Sequence, residues 1–154
     1  MSRLRHWIPA VLFAALIWSF STEGFGSEHT SRIILPLLRL LLPFASADTL
    51  DNIHFAIRKT AHVSEYFVFS LLLFRAVRGA GRGWKLDWAL LALAIATAYA
   101  CSDEFHQIFV PGRGASVHDV LIDMAGASLA QVILWWLLVK RKSQPSADVA
   151  PQSP

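Results

Sequence analysis

VHDVLIDMAGASLAQVILWWLLV, residues 117–139, decides the fold class. After Asp119 and Asp123 it carries no charge from Met124 to Val139, so it reads as a helix that needs hydrocarbon around it. Three more segments share this character. Residues 7–20 (WIPAVLFAALIWSF) follow Arg3 and Arg5. Residues 60–77 hold the uncharged stretch YFVFSLLLF but carry His62 and Glu65 near their start. The remaining one begins near Leu86 and is uncharged from Trp88 through Ser102, after which Asp103, Glu104 and His106 appear. Four such helices in 154 residues leave too few amphipathic elements to cover them in water. The expected fold is therefore all-α, a polytopic transmembrane bundle of about four spanning helices.

Composition agrees. The chain is 55% apolar and 16% charged, against roughly 45–50% and roughly 25% for soluble domains, and its mean hydropathy is +0.45. A formal net charge of +3, scattered along the chain, argues against nucleic acid as a partner. The single cysteine, Cys101, excludes an internal disulfide and a multi-cysteine zinc site and is expected to serve helix packing.

Basic residues set the orientation. Arg3, Arg5, Arg75, Arg78, Arg82, Lys85, Lys140, Arg141 and Lys142 fall on one side of the four segments, and Arg32, Arg39, Arg58, Lys59 and Arg113 on the other. Short cytoplasmic loops are enriched in Lys and Arg, so both termini are expected inside, in a multi-pass protein of a bacterial cytoplasmic membrane. Trp7, Trp84, Trp88, Trp135 and Trp136 then lie near the inner interface and Trp18 near the outer one. A signal-peptide reading of the first segment is disfavoured because STEGFGSEH offers no clear A-x-A-like cleavage site. Residues 32–44 (RIILPLLRLLLPF), interrupted by two prolines and Arg39, read as an extra interfacial or re-entrant piece between the first two spans. Asp48 and Asp51 suit the start of the second spanning helix, outside the bilayer. Residues 1–142 form one expected domain, and the proline-bearing tail 143–154 is expected to be disordered.

Ionisable residues inside spans are costly, which makes them functional candidates. Here they share a depth. Lys59, His62 and Glu65 lie within about 9 Å of helical rise of one another, Asp103 lies about 25 Å from Leu86, and His118, Asp119 and Asp123 occupy the first two turns of the fourth segment. Topology alone brings these groups to the outer layer. Lys59, His62 and Tyr66 share a helical face, with Glu65 on its edge; Asp103, His106 and Gln107 share another, with Glu104 beside them. Asp119 and Asp123 are four apart, and Gly126 would let that face approach a neighbouring helix. The turn VPGRGAS, residues 110–116, holds Arg113 at the mouth of the cluster, where a planar guanidinium suits carboxylate or phosphate. Each residue also has a plain structural role open to it: His62 and Glu65 pairing with each other or with Lys59, Asp103 and Glu104 capping a helix exit, Arg113 anchoring at the interface.

KTAHVSEYFVFSLLL, with Lys59, His62, Glu65 and Tyr66, and SDEFHQIFVPGRGASVHDVLIDMAGA, with Asp103, Glu104, Gln107, Pro111, Gly112, Arg113, Asp119 and Gly126, are similar to the VanZ-like family of bacterial membrane proteins. The motif region covers residues 59–130. Asp123 stands where the family often has Asn, and Ala130 near a family Gly. The resemblance implies a small multi-span protein, a link to resistance against the glycopeptide teicoplanin, and an address at the outer face of the cytoplasmic membrane, among lipid-linked cell-wall precursors and glycopeptides. It supplies no reaction and no cofactor.

Three functions compete. The first is engagement of an anionic lipid-linked or envelope ligand, with Lys59 and Arg113 on phosphate and Gln107, Tyr66, Asp119 and Asp123 on hydroxyls or amides. The second is an intramembrane enzyme with an acid/base cluster of His62, Glu65, Asp103 and Glu104; a metal version would use the same four as ligands of a hard divalent cation. The third is a scaffold subunit, in which the polar layer only holds helices together.

Overall fold

The computed structural model describes residues 4–22, 24, 26–111 and 113–139, and among these every element is helical. Five helices follow in order: α1 (Leu4–Phe20), α2 (Ser27–Leu41), α3 (Ala47–Arg78), α4 (Leu86–Gln107) and α5 (Val117–Leu138). Only α4 and α5 combine the length and apolarity needed to cross a membrane; α1, apolar but 17 residues long, is shorter. The tail 143–154, Arg3, the basic run 140–142 and Gly112 lie outside the described residues.

The central helix is α3, which packs against each of the other four. It begins where the acidic residues predict: Ser46 caps it, its hydroxyl accepting from the Thr49 N–H at 3.2 Å, with Asp48 in the first turn. Its 32 residues span about 48 Å. The extra interfacial or re-entrant element expected between the first two apolar segments is a helix, with bounds that differ from residues 32–44. The helix there starts at Ser27, runs through Pro36 and stops at Leu41, two residues before Pro43. Thr30, Ile34 and Leu38, four residues apart, turn their face toward the bundle, while Ile33, Leu37, Leu40 and Leu41 stay exposed. The charged segment 103–107 is equally helical, extending α4 to Gln107.

Small residues set the packing distances. Ala89, Ala92, Ala96 and Ala100 form a buried stripe along α4. On α5, a Cβ added to Gly126 would lie 3.0 Å from Val63 Cα and closer still to the Val63 carbonyl oxygen, so backbone meets backbone there. A polar lock joins α3 to α5: Gln131 Nε2 donates to Ser70 Oγ at 2.8 Å, and Ser70 Oγ donates to the Ala127 carbonyl at 3.0 Å. Phe69 packs edge-on to Tyr99 at 5.2 Å, and the Tyr99 hydroxyl donates to the Ala14 carbonyl at 2.6 Å, fastening α4 to α1. Asp103, Glu104, Gln107, Asp123 and Gln131 are buried, whereas Ile8, Val11, Leu12, Leu90, Leu129 and Val132 are exposed. A polar interior inside an apolar jacket is compatible with lipid around the bundle.

Candidate functional site

The polar layer sits where α1 ends, α2 begins, α3 passes, α4 ends and α5 begins. Helix packing divides it into three linked parts. In the first, Asp103 is fully buried and accepts from Ser21 Oγ at 2.5 Å and from Gln107 Nε2 at 3.3 Å; Gln107 also donates to Ser21 at 3.2 Å. This triangle ties the end of α4 to the residue after α1. Glu104 accepts the Ser116 N–H at 2.8 Å, which holds the turn before α5. His106 stacks on Trp18 with ring centroids 4.1 Å apart, on the edge of the α4 face rather than beside Asp103 and Gln107.

The second part joins α3 to α5. Lys59 forms an ion pair with Asp119. His62 Nδ1 lies 3.3 Å from Asp123 Oδ1, so His62 turns to α5 rather than to Glu65. Asp123 is 0% exposed, and neither of its oxygens has a hydrogen-bond partner, nor has the buried Tyr66 hydroxyl. Asp123 therefore faces a histidine in a fully buried part of the layer.

The third part is open. Two adjoining cavities of about 220 Å³ each share a wall made of Arg58, His62 and Arg113. One runs under α2 and is lined by Phe20, Ser21, Thr30, Ile34, Ile57, Ala61 and Glu65 besides that wall. The other is polar, lined by Ser27, Lys59, Gln107 and Asp119 together with Phe55 and Gly114. Arg113 is held by one bond, Nη2 to the Phe20 carbonyl at 2.7 Å, and its Nε has no partner. Burial, then the charge of Arg58, pulls the Arg113 pKa below its ordinary value, against the opposing carboxylates of Asp103, Glu104 and Glu65. Among the described residues Arg58 has no ion-pair partner. Two guanidiniums thus face shared space, with the Glu65 carboxyl on the wall of one cavity and Asp119 on that of the other.

Of the residues singled out from sequence, Lys59, His62, Glu65, Gln107, Arg113 and Asp119 line these cavities, while Tyr66, Asp103, Glu104 and Asp123 support them from behind. Arg58 escaped the sequence reading, although its spacing to His62 and Glu65, i, i+4 and i+7, places all three on one face. Ser21 and Thr30 carried no signal, because only the return of α1 and α2 to α3 and α4 brings them in. Among the described residues no three His, Cys, Asp or Glu side chains are arranged to hold a metal ion, so His62, Glu65, Asp103 and Glu104 do not form a ligand set. What the arrangement offers is a cationic anchor, an adjoining cavity with apolar walls, and one carboxylate, Glu65, on the wall of that cavity.

A family model described as VanZ/LLP1 matches residues 6–139. No curated protein and no solved structure matches the chain.

Proposed function

The chain belongs to the VanZ family, whose model covers most of it, and from that premise we propose that it is a four-span protein of the bacterial cytoplasmic membrane that binds an anionic lipid-linked ligand at the outer face. In this reading α1, α3, α4 and α5 cross the bilayer, α2 lies along its outer surface, and both termini are cytoplasmic. The balance of basic residues supports the orientation. The exposed apolar flanks of α1, α4 and α5 support the bilayer.

One observation carries the ligand class: Arg58 and Arg113 share a wall between a polar cavity and one lined by Phe20, Ile34, Ile57 and Ala61. A phosphate fits the guanidinium pair, with its hydrophobic chain under α2 and its polar remainder toward Lys59, Gln107 and Asp119. Lipid-linked cell-wall precursors have this build, and a role in glycopeptide resistance would follow from engaging them or the antibiotic that targets them.

Binding of a polyprenyl phosphate to the purified protein in nanodiscs, followed by native mass spectrometry against the uncharged polyprenol, tests the proposal. Arg58→Gln and Arg113→Gln should each weaken the phosphate by roughly tenfold or more, the scale of a lost charge-assisted hydrogen bond. Unchanged binding in both variants would overturn it.

A second reading, an intramembrane enzyme, is favoured by Glu65, which lines the apolar cavity together with His62 and is placed to act as a general base. Glu65→Gln then abolishes turnover of a lipid-linked phosphate while leaving its binding and the protein level intact. If Glu65→Gln or Asp103→Asn instead removes the protein from the membrane, the polar layer is structural glue and the scaffold role holds.

A further inference from the structure

At the other end of the bundle a third space opens, of about 610 Å³, between the start of α1, the end of α3 and the loop that leads into α4. Arg5, His6, Trp7, Arg78, Gly81 and Trp88 line it, and no acidic residue does. The space is built rather than incidental. Arg78 lies over the Phe74 ring at 5.9 Å, and Phe74 meets Trp88 edge-on at 6.4 Å. Gly81 lets the Trp88 ring lie close against the loop, because an added Cβ would fall 2.6 Å from Trp88 Cη2. Arg78 Nε is buried with no hydrogen-bond partner, and among the described residues neither Arg5 nor Arg78 has an ion pair. An arginine nitrogen kept from water and left unsatisfied is costly unless an acceptor arrives. The space therefore holds donors suited to an anion.

Its depth is defined by the fold. Arg58 and Arg78 lie on the same helix, separated by about 30 Å of rise, close to the hydrocarbon thickness of a bilayer. With the outer site at one interface, this space falls at the opposite one, where Trp7 and Trp88 suit headgroup level. We propose that it is a binding site for a phosphate-bearing group, a phosphodiester headgroup of the inner leaflet or a soluble phosphate, gripped by Arg78 and Arg5 between the two tryptophans. The guanidinium fork suits phosphate geometry, and basic pockets between helices on the cytoplasmic side are suited to anionic headgroups. The site shares no residue with the outer cavities; its assignment to the inner leaflet rests on the four-span orientation proposed above.

The test uses the full chain, purified and reconstituted in phosphatidylcholine nanodiscs with and without phosphatidylglycerol, with lipid retention read by native mass spectrometry. Arg78→Gln and Arg5→Gln should each reduce retained phosphatidylglycerol by roughly tenfold, as expected for one charged donor lost, whereas Arg82→Gln, exposed in the same loop and outside the cavity, should leave it within about twofold. Arg5 is itself exposed, so Arg5→Gln keeps the test open if Arg78→Gln fails to fold. Added inorganic phosphate separates the sources: a headgroup site retains phosphatidylglycerol against it, while a soluble-phosphate site shows no lipid preference and binds the ion directly with the same sensitivity to Arg78 and Arg5. Equal losses in all three variants, or wild-type retention in both cavity variants, overturn the proposal.

Discussion

At the scale of single residues, two contacts carry unusual weight. Gly126 is the point where α5 touches the α3 backbone at Val63. By residue type alone alanine there is a harmless change, yet the extra carbon has to push two backbones apart. Gly126→Ala should cost about 1–3 kcal/mol of stability, read as a lower midpoint of thermal unfolding in detergent, and wild-type stability would show that the helices separate freely at this point. Glu104 accepts the Ser116 N–H rather than lining a cavity. Glu104→Gln should therefore lower stability by about 1 kcal/mol and leave polyprenyl phosphate binding within about twofold. A binding loss as large as that of Arg113→Gln would place Glu104 in the site itself. Arg58 and Lys59 make the contrast between neighbours plain: one residue apart, they point to different partners, Lys59 to Asp119 and Arg58 to the cavities.

At the scale of the element, α2 is the helix whose attachment depends on conditions. It docks on the outer part of α3 through His54, which is buried and lies 3.2 Å from the Thr30 hydroxyl. Burial and then Arg58 lower the His54 pKa below 6.5, with Asp51 opposing. A histidine whose pKa is lowered in the docked state favours the neutral ring there, so docking is fully supported above pH 6.5. It weakens as pH falls from that value toward the lower docked one. Hydrogen exchange of residues 27–41, corrected for the intrinsic effect of pH, should show protection retained above pH 6.5 and lost progressively as pH falls below it. His54→Gln should remove that dependence; unaltered protection across the range in the native chain would show that His54 does not control α2. Because Thr30 and Ile34 of α2 line the outer cavity, the same change in pH should loosen its roof.

At the scale of the whole molecule, the four-span orientation is open to direct measurement. In a Cys101→Ser background, a cysteine replacing Ala115 should react with a membrane-impermeant maleimide in intact cells, and one replacing Ala80 only after the cells are permeabilised; the reverse pattern would invert the topology. All four apolar segments were legible because an unbroken apolar run announces itself without any partner, and so was the start of α3 at the acidic residues after Ser46. The extra helix between the first two apolar segments was legible too, but not its start at Ser27, since the face of Thr30, Ile34 and Leu38 is laid against the bundle only in the folded chain. The polar layer was also legible as a depth, through rise per residue and the direction of each helix. Which of its members meet was not. Sequence by itself determined an all-helical chain, its family, and the layer in which its charges gather, because periodicity and apolar runs are properties of contiguous residues. The tertiary structure alone decided that His62 turns to Asp123, that Lys59 is spent on Asp119, and that Arg58 and Arg113 are left facing open space. Those outcomes depend on how far each helix is rotated about its axis and where the others press against it, and rotation is set by packing between segments distant in the chain.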